Sequence, residues 1–130
     1  MNARITHQLS NLKAAYAKLG AFAQTANQTE VVRAGVIQAF EFTFELFWKV
    51  YQSLAVDQGL PAASPKAALK AAFKMGLVDD EAVWLDMLTD RNLTVHTYKE
   101  ALAKEIHGRI VDRYIAAMAV AIAVVETQAP

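Results

Sequence analysis

The sequence predicts an all-α protein, an antiparallel up-and-down four-helix bundle with one additional short helix. Three observations lead there. Apolar residues recur every three or four positions along most of the chain, and no segment alternates with the period of two that marks a strand. Cap residues and glycines cut the pattern into segments joined by short loops. At 130 residues the chain fits one domain, residues 1–130, and is long enough to bury a proper core.

Ile5, Leu9, Leu12, Tyr16, Leu19 and Ala23 alternate steps of four and three, which makes the seam of a first amphipathic helix. Gly20 weakens that helix without breaking its pattern. Polar Gln24 to Thr29 forms a loop, with Thr29 as N-cap and Glu30 favouring the dipole of the next helix. The second helix runs from Glu30 towards Gln58, with Val36, Phe40, Phe44, Phe47, Tyr51 and Leu54 as its stripe. Half of the aromatic residues lie between Phe40 and Tyr51, too many for one stripe. Phe42 and Trp48 therefore fall on a second face, and the helix is expected to be covered on two sides. Glu41, Glu45 and Lys49 follow at i, i+4 and i+8. They form either a solvated ladder, worth a few tenths of a kcal/mol per pair, or a source of one acid for a functional cleft. Glu45 is the candidate for that supporting role.

Gly59-Leu60-Pro61 ends the second helix, and Ser64-Pro65 starts a short third one as N-cap and first residue. Leu69 and Phe73 are its anchors and Gly76 its stop. Asp79-Asp80-Glu81 then loads acid onto the start of a fourth helix, whose buried side is Val83, Trp84, Met87 and Leu88. The last helix runs from near Lys99 towards Thr127, with Leu102, Ile106, Ile110, Tyr114 and Met118 on one face. From Ile115 nearly every position is apolar, so this half is expected to be buried all round, in the bundle core or a dimer interface. Gln128-Ala129-Pro130 reads as a frayed tail.

Composition narrows the function. Hydrophobic residues make up 55% of the chain, above the roughly 45–50% usual for soluble domains, and a subunit interface would absorb the excess. Thirteen basic and thirteen acidic residues cancel, so any nucleic-acid contact must come from a local cluster. With no cysteine, disulfide and thiolate chemistry are excluded. Met1 to Gln8 lacks the apolar run of a secretory signal behind Arg4. The run from Ile115 to Val125 falls short of the roughly 20 residues of a membrane span. A cytoplasmic protein is expected. His7 and His107 have no acids at metal spacing, His107 reads as exposed, and no glycine loop is present to cradle phosphate, so neither metal nor cofactor is expected.

The chemistry concentrates in Asp90 to Tyr98, where an arginine, an amide, a histidine and a tyrosine crowd together. Arg91 and His96 are five residues apart, which on a continuous helix places them roughly 140° apart. Either the helix ends after Arg91 or the two meet across a symmetric dimer. Asn92 and the β-branched Thr94 and Val95 favour a helix end, hence a loop-borne His96. A histidine moves protons near neutral pH, and a guanidinium fork suits phosphate oxygens. Together they suit RNA cleavage at a 2′-hydroxyl, with Asn92 orienting a partner and Tyr98 supplying a hydroxyl. The residues alone leave a plainer reading open: Arg91 paired with Asp86 or Asp90, and His96 capping a helix end. Arg109 and Arg113 are candidates for extra positive charge near the cleft.

Arg91-x4-His96-x-Tyr98 resembles the Arg-x4–6-His signature of HEPN-domain proteins, in the variant that ends His-x-Tyr. Four further blocks resemble the nucleotidyltransferase substrate-binding protein family: Phe40 to Lys49, Ser64-Pro65-Lys66, Ala72 to Leu77 and Trp84 to Leu88. With the motif they follow family order between Val32 and Tyr114. The resemblance implies an all-α homodimer, similar to the C-terminal helical domain of kanamycin nucleotidyltransferase and encoded beside a minimal nucleotidyltransferase. One implied function is the HEPN toxin of a toxin–antitoxin pair. Such a toxin is a metal-independent RNA endonuclease, silenced when its partner adds AMP to the motif tyrosine. Arg91 and His96 would then be catalytic, Asn92 supporting, and Tyr98 the modification or substrate-binding residue. Two copies across a two-fold axis would form one composite, locally basic cleft for RNA. The other implied function is a non-catalytic subunit that presents a substrate to the nucleotidyltransferase. A dimeric helical scaffold with a structural motif is the third reading.

Overall fold

The first four helix starts in this chain are written in side chains that accept the first free amides. Asn2 accepts from the Ile5 amide (2.8 Å), Thr29 from Val32 (3.2 Å), Ser64 from Ala67 (3.1 Å) and Asp80 from Val83 (3.3 Å). They open α1 (Ala3–Ala23), α2 (Glu30–Asp57), α3 (Pro65–Lys74) and α4 (Glu81–Leu93). Gly59 and Gly76, at φ +72° and +77°, close α2 and α3 in the left-handed conformation that only glycine adopts without strain. In both closures the glycine amide and the next one reach back to the last helical carbonyls: Gly59 to Val56, Leu60 to Ala55, Gly76 to Phe73 and Leu77 to Ala72. After α4 come a 3-10 turn (Thr94–His96), α5 (Glu100–Arg109), a π-helical turn (Ile110–Tyr114) and α6 (Ile115–Gln128). This computed structural model describes residues 2–128; Met1, at the head of the segment read for a signal, and Ala129-Pro130 of the expected tail lie outside the described residues. Gln128 still belongs to α6.

Side-chain pairs fix the helix directions. Asn2 at the start of α1 reaches Asp57 at the end of α2, so those two run antiparallel. Lys13 pairs with Glu126 and Tyr16 donates to the Ile115 carbonyl, which sets α6 antiparallel to α1. Arg33 meets Glu100 and Phe40 stacks on Tyr114, so α2 and the α5–α6 rod run parallel. Arg91 lies beside Glu41, while Trp84 lies beside Phe47 and Tyr51, so α4 runs against α2. The result is the expected up-and-down four-helix bundle, with α3 as the additional short helix against α2 and α4. Among the described residues no helix is long and apolar enough to cross a membrane.

The predicted seams of α1, α2 and α4 face the core, which is centred on Phe40, Phe44, Phe47, Tyr51 and Trp84. Three expectations need correction. Phe73 does not anchor α3; it is 46% exposed, and Ala68, Leu69, Ala71 and Ala72 carry that contact. Phe42 is 53% exposed, so within one chain α2 is not covered on that side, whereas Trp48, about 120° away around the helix, is half-buried. Nor is α6 buried all round within one chain, where Met118, Ala121, Ile122 and Val125 are buried while Val120 is 58% exposed. The π turn just before α6 has a physical reason of its own. A step of four residues overshoots a full turn by about 40°, so a strict i+4 run drifts around an α-helix. Ile106, Ile110, Tyr114 and Met118 make such a run, yet all four are fully buried. The extra residue of the π turn takes up the drift.

Candidate functional site

Helix α4 stops at Leu93 because two threonines turn back on it. Thr94 donates its hydroxyl to the Arg91 carbonyl, and Thr97 donates to the Thr94 carbonyl, both at 2.7 Å. These bonds tighten the chain into the 3-10 turn and leave His96 outside the helix. Arg91, half-buried on the last turn of α4, faces α2. Asn92 and His96 are exposed, and Tyr98 is 77% exposed. The His96 and Tyr98 rings stand edge-on at 73°, centroids 6.1 Å apart.

Four arginines surround this end of the bundle, and their pairing separates them. Arg33 binds Glu100 at 2.6 Å and the Gln28 carbonyl at 2.8 Å. Arg109 grips Asp90 through two bonds of 2.7 and 2.9 Å, and Arg113 holds Asp86 at 2.8 Å. Arg109 and Arg113 are therefore neutralised in place, and the expectation that they add positive charge to the cleft is corrected. Arg91 pairs with neither Asp86 nor Asp90. It stands 3.8 Å from Glu41 and 3.5 Å from the Thr94 hydroxyl, and its buried Nε has no partner among the described residues. Arg91 is thus the most loosely held of the four guanidinium groups. Glu41, and not Glu45, is the acid that meets it. Glu45 pairs with Lys49 at 3.9 Å and borders a shallow apolar groove with Lys18, Phe42 and Leu46.

Ion pairs hold the candidate stretch at both ends. Immediately before Arg91, Asp90 is buried under Arg109 and accepts the Tyr114 hydroxyl at 2.5 Å. The Asp90 bond raises the Arg109 guanidinium's affinity for its proton, and burial followed by Asp90 pushes the Tyr114 phenol up, so both remain donors. Two residues after Tyr98, Glu100 is tied to Arg33, whose guanidinium holds the carboxyl below its ordinary range. Between α2, the Tyr98 turn and α5 lies a cavity of about 150 Å³, lined by Arg33, Glu41, Thr97, Tyr98 and Glu100 among others. It has room for a few waters beside Tyr98 and none for a nucleotide.

Sequence reasoning missed Glu41 as Arg91's partner and missed both clamps. It also read His107 as exposed, whereas His107 is half-buried with Nε2 2.8 Å from the Gln28 side-chain oxygen. Gln28 directs its amide nitrogen to the Phe22 and Thr25 carbonyls, so its oxygen faces His107, which must donate. Burial first, then Arg33, lowers the His107 pKa, against a smaller upward pull from Asp112. The unfolded chain therefore binds this proton more readily than the folded one. The resulting stability is fully present above the unfolded value of about 6.5 and is lost as pH falls through the lowered folded value. Urea melts between pH 5 and 7 should show that slope, and His107→Gln should flatten it; an equal slope in both proteins would count against this origin.

A model of proteins described as nucleotidyltransferase substrate binding protein like matches residues 7–126. The chain belongs to that family. A Haemophilus influenzae protein named probable ribonuclease HepT is 33% identical over 84 residues, covering 61% of this chain and 58% of the relative. The match thus spans little more than half of that relative's length. A crystal structure from Thermus thermophilus shares 39% identity at a TM-score of 0.78, over 86% of this chain and 96% of that one. A tri-AMPylated Shewanella oneidensis HEPN toxin, solved in complex with MNT antitoxin, superposes at a TM-score of 0.81 over 98% of this chain and 100% of its own. At 18% identity that likeness speaks for the family's fold alone.

Proposed function

We propose that this chain is a HEPN-type ribonuclease toxin, and that a partner nucleotidyltransferase silences it by adding AMP to Tyr98. The observation that carries the reading is the state of the motif: Arg91 is held only by contacts of 3.5 and 3.8 Å, and a few residues on, His96 and Tyr98 stand exposed on one short turn. The relative named probable ribonuclease HepT points the same way. Two copies meeting at this turn would set two Arg91–His96 pairs around one RNA strand. One imidazole takes the 2′-hydroxyl proton as O2′ bonds to phosphorus, and the second copy's imidazole protonates O5′ as the P–O5′ bond breaks. A 2′,3′-cyclic phosphate and a 5′-hydroxyl result. Arg91 leaves Glu41 for the phosphate oxygens and steadies the charge that builds there. Asn92, exposed beside Arg91, orients the strand. No step calls for a metal, and RNA and ATP both belong to the cytoplasm.

Tyr98 would attack the α-phosphorus of ATP, releasing pyrophosphate and carrying AMP at the mouth of the cleft. An added phosphodiester there repels RNA and blocks its entry. The family description favours a second reading, a non-catalytic subunit that presents a substrate to the nucleotidyltransferase. One experiment separates the two. The purified chain should cut RNA in the presence of EDTA. Co-expression with its neighbouring nucleotidyltransferase should add AMP-sized mass to the Tyr98 peptide and stop the cutting, while Tyr98→Phe should escape both effects. Intact RNA with the unmodified chain would support the substrate-binding subunit instead.

A further inference from the structure

We propose that Asp90, Arg109 and Tyr114 form a positioning unit that aims Arg91 and sets the rate of phosphodiester cleavage without touching RNA. The proposal rests on the ribonuclease reading. Asp90 is the only acidic or basic side chain that is buried among the described residues, at 4% exposure. Burying a carboxylate is costly unless donors surround it, and an apolar residue would hold two helices together with less desolvation. Three donor groups do surround it, and they come from one unusual piece of backbone. Arg109 and Tyr114 are five residues apart, which on an α-helix would turn them roughly 140° from each other. The π turn between them returns both to one face, so the guanidinium spans the two Asp90 oxygens while the phenol caps one of them.

The consequence falls on the next residue. One step along α4 turns about 100°, so pinning Asp90 towards the π turn points Arg91 at α2, where Glu41 waits at 3.8 Å. Arg91's own contacts are too long to fix its direction. Its carbonyl also accepts the Thr94 hydroxyl, so the turn bearing His96 hangs from the same residue. A small rotation of α4 would displace the guanidinium and the imidazole together. Misplacement of about 1 Å costs a catalyst on the order of a hundredfold.

The test uses conservative variants. Tyr114→Phe keeps the ring stacked on Phe40 (5.6 Å between centroids) and removes only the hydroxyl. Asp90→Asn keeps the shape, and Arg109→Lys keeps the charge but not the fork. Tyr114→Phe should lower kcat on an RNA oligonucleotide about tenfold, and Asp90→Asn about a hundredfold, with KM changed by less than about twofold. Arg109→Lys should retain more activity than Arg109→Gln. In each variant the NMR resonance of the Arg91 Nε–H should move from its wild-type position. Wild-type kcat in folded Tyr114→Phe and Arg109→Lys would overturn the proposal, as would an unmoved Arg91 resonance. If the wild-type chain leaves RNA intact, the ribonuclease reading fails, and the Arg91 resonance alone decides whether the unit aims that side chain.

Discussion

On the proposed ribonuclease reading, replacing His96 with alanine is expected to lower RNA cleavage by about a hundred- to ten-thousandfold, the range that a positioned proton-transfer group contributes. The fold should not notice. His96 is exposed on the 3-10 turn, and the turn itself is held by the Thr94 and Thr97 hydroxyls, which the substitution leaves in place. The melting temperature should stay within about 2 °C, since exposed substitutions away from structural features seldom exceed about 0.5 kcal/mol. Arg91→Lys offers the companion measurement. It keeps a positive charge 3.8 Å from an acid but loses the planar fork, so cleavage should fall while binding to Glu41 survives. Single-turnover cleavage of a short RNA, with thermal melts of the same samples, checks both. Undiminished cutting by folded His96→Ala would remove the histidine from the mechanism.

Much of the architecture could be read from the chain because its signals are local. Thr29, Ser64 and Asp80 cap the helices that follow them, and Gly59 and Gly76 stop helices with backbone only glycine favours. The seams of α1, α2 and α4 also survive intact, since periodicity reports which side of a helix is apolar. What periodicity does not report is whether a second apolar side is covered within the same chain. Phe42, Phe73 and Val120 therefore read as deeper than they are. Charged partners fail for a related reason. Glu41 and Glu45 sit one turn apart on α2, and only the rotation of α4 decides which of them meets Arg91. The Asp90 clamp is hidden more thoroughly, because Arg109 and Tyr114 read as opposite faces on an α-helix. The strict four-residue spacing from Leu102 to Met118 is the available signal, as such a run stays buried only where the helix widens. The motif stands out because its residue types are conspicuous, whereas the side chains that hold it in place are ordinary ones distant in sequence.

The largest loss of stability is expected from Trp84→Ala, about 3–5 kcal/mol, the range for removing a large aromatic from a core. Trp84 is 3% exposed and is the residue through which α4 enters the aromatic row of α2. Phe47 meets it edge-on at 4.8 Å and Tyr51 at 5.7 Å, while Phe44 lies more nearly parallel at 6.5 Å. Each such pair adds about 0.5–1.5 kcal/mol beyond simple burial. Tyr51 is fully buried in this layer, and that burial pushes its phenol far up. Trp48 supplies the contrast. It is half-buried, and its indole N–H has no acceptor among the described residues, so Trp48→Phe removes an unpaired donor along with some area. That variant should stay within about 1 kcal/mol of wild type in urea melts. The effect on function follows from what else ties α4 to α2. Beyond the Trp84 layer, the polar link is the loose Arg91–Glu41 pair, whereas the Asp90 and Asp86 ion pairs tie α4 to the α5–α6 side. Trp84→Ala should therefore free Arg91 from α2 and reduce cleavage even at temperatures where the bundle persists. A Trp84→Ala protein as stable as Trp48→Phe would mean that α4 is held from the α5–α6 side alone.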